Sequence, residues 1–387
     1  MKRVISQERE NLNQIASDCG FKFHIIDGEK YWDESIRYEF TLDEIEKKIE
    51  DPTNELHLMC MSLVDDIVRS EEKLTKLGIP QNQWDYVHSS WFNGDQHLYG
   101  RIDLAFDGSG NAKLFELNYD TPTSLYEAGY FQWVWLDDMI KTGRVSKDCD
   151  QFNSIQEKLI DAFTHSKNIV GDDKLFFSCV RESIEDFGTI QYLRDCAMQA
   201  NLNTDIVFIE DIGLTDEGWF ASDKWDIINH LFKLYPWEFM MVEEYGKNLP
   251  NSGTNFFEPA WKSVLSNKGM LPLLWAKFQN HPNLLECYFD DQLRGATPKG
   301  WVRKPIFSRE GANICIIDND GFVSTTDGPY TDCGHIWQKY NPLPNFDGNF
   351  PLIGSWVVGD TACGMGIRED SSLITQNTSR FVPHVIV

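Results

Sequence analysis

No stretch of the chain approaches the roughly 18 uninterrupted apolar residues that a membrane-spanning helix requires. Residues 1–10 hold Lys2, Arg3 and Arg9 but no apolar run, so a secretory leader is not expected either. Both absences point to a cytoplasmic protein with no membrane partner. Basic charge is scarce: 35 Lys and Arg face 60 Asp and Glu, a net charge of −25. A nucleic-acid binder relying on general phosphate attraction is excluded, because it needs a basic face to displace counterions. Paired cysteines are missing as well. The nine (Cys19, Cys60, Cys149, Cys179, Cys196, Cys287, Cys315, Cys333 and Cys363) are odd in number and scattered, with no CxxC. This argues against a disulfide framework or a zinc ribbon and for reduced core thiols. No GxxxxGKS or GxxxxGKT run occurs, so any nucleotide would be held without a P-loop. With no internal repeats or low-complexity linkers, domain boundaries must come from secondary-structure logic.

Apolar residues, in contrast, are plentiful. Of 387 residues 42% are hydrophobic and 13% aromatic, enough buried surface to offset the entropy of ordering, which excludes a disordered acidic chain. A chain of this length should form two or three domains or subdomains. Residues 41–77 read as two packed helices, with Thr41 as N-cap, Glu44 completing a capping box, and a break at Asp51-Pro52. A hairpin is expected over 99–119 around the turn Asp107-Gly108-Ser109-Gly110-Asn111. Ser124 should cap an aromatic-rich helix ending near Ile140. Strand 174–180, helix 186–200 and strand 205–209 suggest a small α/β subdomain with a parallel pair. A helix over 261–277 is followed by short strands at 301–317, 336–340, 352–358 and 363–367, so the C-terminal third should be mostly antiparallel.

The hairpin carries the chemistry. Arg101, Asp103 and Ala105 alternate with Ile102, Leu104 and Phe106 on one arm, and Glu116 and Asn118 with Phe115, Leu117 and Tyr119 on the other, so both polar sets share a face. A turn centred between Ser109 and Gly110 sets Asp103 opposite Glu116 and Arg101 opposite Asn118. Opposed carboxylates with Cβ atoms roughly 5 Å apart destabilise a sheet unless a cation sits between them. Oxygen-only donors suit Mg²⁺ or Mn²⁺ and not zinc. A hairpin with a solvated acidic face is the other reading of the same spacing. A second segment runs from Lys304 on a strand into a loop with Ser308, Gly311 and Ala312, a flap whose backbone N–H groups can reach phosphate oxygens. A third, 364–370, delivers Arg368 at a strand end, where it can serve phosphate or carboxylate or simply pair with Glu369 or Asp370.

The runs R-I-D at 101–103, E-L-N-Y-D-T-P-T-S-L-Y-E-A at 116–128, W-K-S-V-L-S-N-K at 261–268, the segment 304–313 and G-M-G-I-R at 364–368 resemble, in order and over nearly the entire chain, the glutathionylspermidine synthase family. The similarity is greatest to its stand-alone members in enteric bacteria, provisionally described as acid–amine ligases. The resemblance implies an α+β/α/β chain with a circularly permuted ATP-grasp-type fold and a small α/β subdomain. Its parts would be 1–165 (a helical region plus the metal hairpin), 166–260 (the small subdomain), 261–345 (the nucleotide lid) and 346–387 (the return to the core). It implies Asp103, Glu116 and Asn118 as ligands of two Mg²⁺ ions, Glu116 bridging them. Lys268 and Lys304 would hold ATP phosphates with Ser308 and Gly311 of the flap, and Gln338 would lie beside the adenine. Arg368 would be the catalytic arginine, with Arg101, Asp120, Thr121 and Thr123 near the acid substrate. The chain begins directly with synthetase-like sequence, so the family's cysteine amidase is expected to be absent.

The activity expected is ATP-dependent ligation of a carboxylate to an amine through an acylphosphate. Glu238, in Tyr235-Pro236-Trp237-Glu238, is the candidate to hold the amine's ammonium, and the −25 charge is compatible with a polyamine. A nucleotide-binding regulatory protein would share the ATP site but has no need of Arg368. A magnesium-dependent phosphohydrolase would leave Lys268 and Lys304 idle.

Overall fold

The computed structural model describes residues 1–293 and 298–387. Its centre is a five-stranded antiparallel sheet in the order Arg380–Val382, Thr361–Asp370, Phe350–Val358, Tyr99–Ala105 and Lys113–Asn118. The expected register of the hairpin holds where it matters, with Arg101 opposite Asn118 and Asp103 opposite Glu116. Beyond Asp103 a bulge shifts it, and Leu104 meets Leu114. The extra residue is Phe115, whose carbonyl is thereby released from the ladder for another use.

The helix Asp51–Val68 packs its buried stripe (Leu56, Met59, Cys60, Leu63, Val64 and Ile67) against the same core cluster as Ile102, Leu104 and Leu117 of the hairpin. Each such side chain contributes roughly 1.5–3 kcal/mol by leaving water. The Thr41–Glu44 capping box is present, but Asp51-Pro52 does not break the helix. The chain runs from Leu42–Ile45 through a π-helical turn, Glu46–Glu50, directly into Asp51–Val68. Pro52 falls where the chain passes from π- to α-helical geometry, so its missing N–H coincides with a change in the hydrogen-bond pattern. The interruption lies instead at Arg69-Ser70, where the Ser70 hydroxyl caps Glu71–Lys76.

A four-stranded parallel sheet, ordered Asn255–Phe257, His230–Lys233, Lys174–Ser178 and Asn203–Ile206, carries the helix Ile184–Gln199. This is the expected parallel pair with two further strands added. A second five-stranded antiparallel sheet comprises Cys287–Phe289, His335–Lys339, Trp301–Pro305, Cys315–Ile317 and Val323–Thr325. The C-terminal strand His384–Ile386 pairs in parallel with Ile36–Phe40, an exception to the antiparallel expectation. The helix expected over 261–277 is two, Lys262–Leu265 and Met270–Lys277. The gap between them places Lys268, whose N–H donates to Ile306 O at 3.0 Å. Gly269 makes the approach possible, since a Cβ there would lie 2.5 Å from Leu77.

Candidate active site

The polar face of the hairpin, the flap after Trp301–Pro305 and the strand Thr361–Asp370 surround one cavity of about 310 Å³. Arg101 lies flat across the hairpin, donating through Nε and Nη2 to the two oxygens of Asp103 (2.7 and 3.0 Å) and through Nη1 to Thr123 O (2.6 Å). Gly354 on the neighbouring strand leaves room for it, because a Cβ there would come within 2.7 Å of Arg101 Cδ. Asn118 Nδ2 donates to Asp103 (3.0 Å) and Glu116 (3.3 Å), and Lys268 Nζ lies 3.1 Å from Glu116 Oε2. The cations that relieve the opposed carboxylates in this structure are therefore side chains. Burial pushes the Glu116 carboxyl up, but Lys268, Lys304 and Arg101 outweigh it and hold it down to about 2. Asp103 is raised, mainly by its burial.

Among the described residues no three His, Cys, Asp or Glu side chains form a metal-binding cluster. Asp103, Glu116 and Asn118 nonetheless converge and supply two carboxylates and an amide. Rotating the Asn118 amide by half a turn would present its oxygen beside theirs, a donor set that fits a hard divalent cation.

Lys304 Nζ donates to Gln338 Oε1 (2.7 Å) and to Phe115 O (3.1 Å), the carbonyl that the bulge releases. Burial lowers its ammonium to about 8 despite the attraction of Glu116. Gln338 Nε2 donates in turn to Leu114 O (3.0 Å). Lys304 and Gln338 border a second, narrower cavity of about 90 Å³ walled by Val302, Ile316, Tyr340, Leu352 and Ile374, a slot suited to a flat apolar ring. Lys268 Nζ also donates to Ser308 O (2.6 Å), tying the flap to the hairpin. Ser308 Oγ is buried without a hydrogen-bond partner among the described residues. Gly311 (φ 72°) packs against Thr375 O, which a Cβ would approach to 2.5 Å.

Arg368 donates through Nε to Ser379 O (2.8 Å), through Nη2 to Gln376 O (3.0 Å) and Asn377 O (2.7 Å), and through Nη1 to Ser124 Oγ (3.1 Å). It is not paired with Glu369, which holds Arg3, Tyr38 and Arg380 instead. Ser124 is engaged by Arg368 and Tyr31 where a helix cap was expected. Thr121 and Thr123 line the cavity. Asp120 does not. It is fully buried, ion-paired with Lys233, and accepts from Trp237 N–H (2.8 Å). Glu238 faces an adjoining apolar trough beside Ile79, Phe239 and Val242, and its carboxylate is held by Arg309 Nη2 (2.8 Å). Arg309 also donates to Thr121 Oγ1 (2.5 Å).

Sequence reasoning gave no role to Arg309, nor to Asp186, which lines the cavity with its carboxyl raised by burial. Arg309 stands inside the flap segment, so its charge beside Ser308 was a usable signal. Asp186 is the third residue of a helix of the small subdomain, its N–H capped by Ser183, and that local pattern marks a helix start without marking a cavity wall.

A family model described as "Glutathionylspermidine synthase preATP-grasp" matches residues 3–387. A provisionally named acid–amine ligase of Haemophilus influenzae is 41% identical over 399 residues, spanning 100% of both chains. The trypanothione synthetase of Crithidia fasciculata is 26% identical over 89% of this chain. The bifunctional glutathionylspermidine synthetase/amidase of Escherichia coli is 25% identical over 88% of it. Each of these two alignments spans 58% of the longer relative. Among solved structures, a glutathione synthetase-like effector from Globodera pallida in its apo form superposes with a TM-score of 0.58 at 11% identity, over 99% of this chain and 98% of the other. That likeness concerns the fold. No described helix is long and apolar enough to cross a membrane.

Proposed function

The chain belongs to the glutathionylspermidine synthase family, and from that premise we propose that it is an ATP-dependent carboxylate–amine ligase working through an acylphosphate on a circularly permuted ATP-grasp-type fold. The observation that carries this reading is convergence. One cavity gathers two carboxylates on a hairpin, Lys268 and the flap at its edge, and an arginine delivered by another strand of the same sheet.

In this reading the adenine occupies the slot beside Gln338, and the phosphates extend along Lys304 and Lys268 toward the flap. Lys304 now rests on the neutral oxygens Phe115 O and Gln338 Oε1, and Lys268 on Ser308 O beside its ion pair with Glu116; phosphate oxygens can replace the neutral partners with charge-assisted bonds. Asp103, Glu116 and Asn118 would hold divalent metal, which when bound neutralises phosphate charge. Arg101, with Thr121 and Thr123, orients the acid carboxylate. One of its oxygens attacks the γ-phosphorus, the bond to ADP breaks, and an acylphosphate forms. The amine nitrogen then attacks the acyl carbon, the C–O bond to phosphate breaks, and an amide remains. Arg368 meets the negative charge that develops in both steps. A free aliphatic amine has a pKa near 10.4, so it arrives as an ammonium and must lose a proton before attack. Asp186 in the cavity wall would receive it, and Glu238, ion-paired with Arg309 beyond that wall, would attract the ammonium.

Incubating the protein with ATP, Mg²⁺ and pooled peptides and polyamines, followed by mass spectrometry, tests this. The expected result is a new amide formed in step with ADP. ADP release that no acid–amine pair accelerates, with no amide, would contradict it.

A further inference from the structure

Behind Arg368 lies a chain of side chains in which, with Glu127 ionised, the direction of every hydrogen bond follows. A guanidinium only donates, so Ser124 Oγ accepts from Arg368 Nη1 at 3.1 Å. The Tyr31 hydroxyl donates to Glu127 Oε1. A phenol has one hydrogen, so the 3.1 Å contact between Tyr31 and Ser124 is made by the Ser124 hydroxyl hydrogen. We propose that Tyr31 and Glu127 are positioning residues for Arg368, acting through Ser124 as a one-way hydrogen-bond chain that runs from the guanidinium to a buried carboxylate. The inference rests on the ligase reading, because it takes Arg368 as the catalytic residue.

Several features favour this over ordinary core packing. Glu127 is 0% exposed, and its second oxygen has no hydrogen-bond partner among the described residues. Burial raises the Glu127 carboxyl, while the Tyr31 hydroxyl, Arg368 and Arg101 draw it back down, so its charged form is favoured by the very arginine to which the chain leads. Ser124 has φ 68°, in the left-handed region that non-glycine residues seldom occupy, and strained positions of this kind concentrate at functional sites. The Tyr31 ring lies under the guanidinium, 5.0 Å from Arg368 Cζ to the ring centroid, within cation–π range. The carbonyls of Gln376, Asn377 and Ser379 take three further N–H bonds, so the guanidinium is held by its donors as well as by the ring. Burial drives the Tyr31 phenol well above its ordinary value, which keeps its hydrogen available. A carboxylate touching Arg368 directly would consume donors and cancel charge. Set two hydroxyls away, it orients the guanidinium and leaves its remaining N–H and its charge for the cavity, while the linked bonds polarise one another.

The test measures ATP turnover and Mg·ATP binding for wild type, Tyr31→Phe, Arg368→Ala and the double variant. Tyr31→Phe keeps the ring but removes the hydroxyl that links Ser124 to Glu127 and donates to that carboxylate, so turnover should fall roughly tenfold while the dissociation constant for ATP stays within about twofold. In the Arg368→Ala background the same substitution should cost nothing further, since coupled residues are non-additive. Ser124→Ala cuts the chain without touching the Tyr31 core and should reproduce the loss. Glu127→Gln keeps an acceptor but removes the charge and should fall between. Unchanged turnover in Tyr31→Phe and Ser124→Ala would overturn the proposal, as would a loss that is just as large without Arg368 or one seen in ATP affinity alone. If Arg368→Ala turns ATP over like wild type, or wild type does not turn it over at all, the ligase reading fails and the proposal with it. A crippled Arg368→Ala beside a normal Tyr31→Phe sinks the proposal alone.

Discussion

Four buried lysines divide into two pairs. Lys233 and Lys262, behind the cavity, are each 0% exposed and closed by a carboxylate of their own that is equally buried, Asp120 and Glu258. Lys268 and Lys304, at the cavity, are almost as deep at 7% and 6%, yet they lean on carbonyl and amide oxygens and share one carboxylate, Glu116. Burial does not separate these pairs. What separates them is whether the positive charge is already matched. A matched lysine has nothing left to offer a ligand. An under-matched one at a cavity can still pair with phosphate, as proposed for Lys304, whose ammonium burial lowers to about 8; burial lowers the closed Lys233 and Lys262 as well.

The comparison breaks most visibly if a closed pair is opened. Lys233→Met leaves Asp120 buried and uncompensated, and removing one partner of such a pair should cost about 3–5 kcal/mol. Chemical denaturation should register this as a large drop in the midpoint, and a drop no greater than that of a surface substitution would mean that water reaches the pair. Lys304→Ala should do the reverse, leaving the fold near wild type and weakening ATP binding by about 1.5–3 kcal/mol, the range for hydrogen bonds to charged groups. Calorimetric titration checks it, and unchanged affinity would remove Lys304 from the nucleotide site.

The smallest effect is in protons. Lys304 titrates near 8 in the fold against an ordinary 10.5, so between those values the unfolded chain binds the extra proton and the ligand-free protein should gain stability as pH rises. Phosphate oxygens favour the charged form, so ATP binding near pH 8.5 should take up a proton. The binding enthalpy should then vary with the ionisation enthalpy of the buffer in wild type and much less in Lys304→Met. Equal dependence in both would locate the titrating group elsewhere.

Features that depend on local periodicity were legible in the sequence. The alternation of side chains and the glycine-rich turn placed Asp103 opposite Glu116, and the structure keeps that register until the bulge at Phe115, which no pattern announces. The Thr41–Glu44 capping box was legible for the same reason, since its partners lie three residues apart. Asp120 was expected at the substrate. Lys233 and Trp237, more than a hundred residues away, decide otherwise. The contacts of Arg309 with Glu238 and Thr121 bridge 71 and 188 residues, and that of Arg368 with Ser124 bridges 244. Such pairs are products of tertiary packing, and a single sequence holds no period from which to read them.

On the ligase reading, Arg368 serves the transfer of a phosphoryl group and not merely the binding of a nucleotide. That role is tested most directly by comparing Mg·ATP affinity with ATP turnover in Arg368→Ala. Water can slowly replace the acid as acceptor, so residual hydrolysis can be followed before any substrate is identified. Affinity should be nearly unchanged while turnover falls roughly a hundredfold or more, because the guanidinium would meet charge that appears only as the reaction proceeds. Hydrolysis at the wild-type rate in Arg368→Ala, with Glu116→Ala inactive, would contradict that reading and favour a nucleotide-binding regulatory protein.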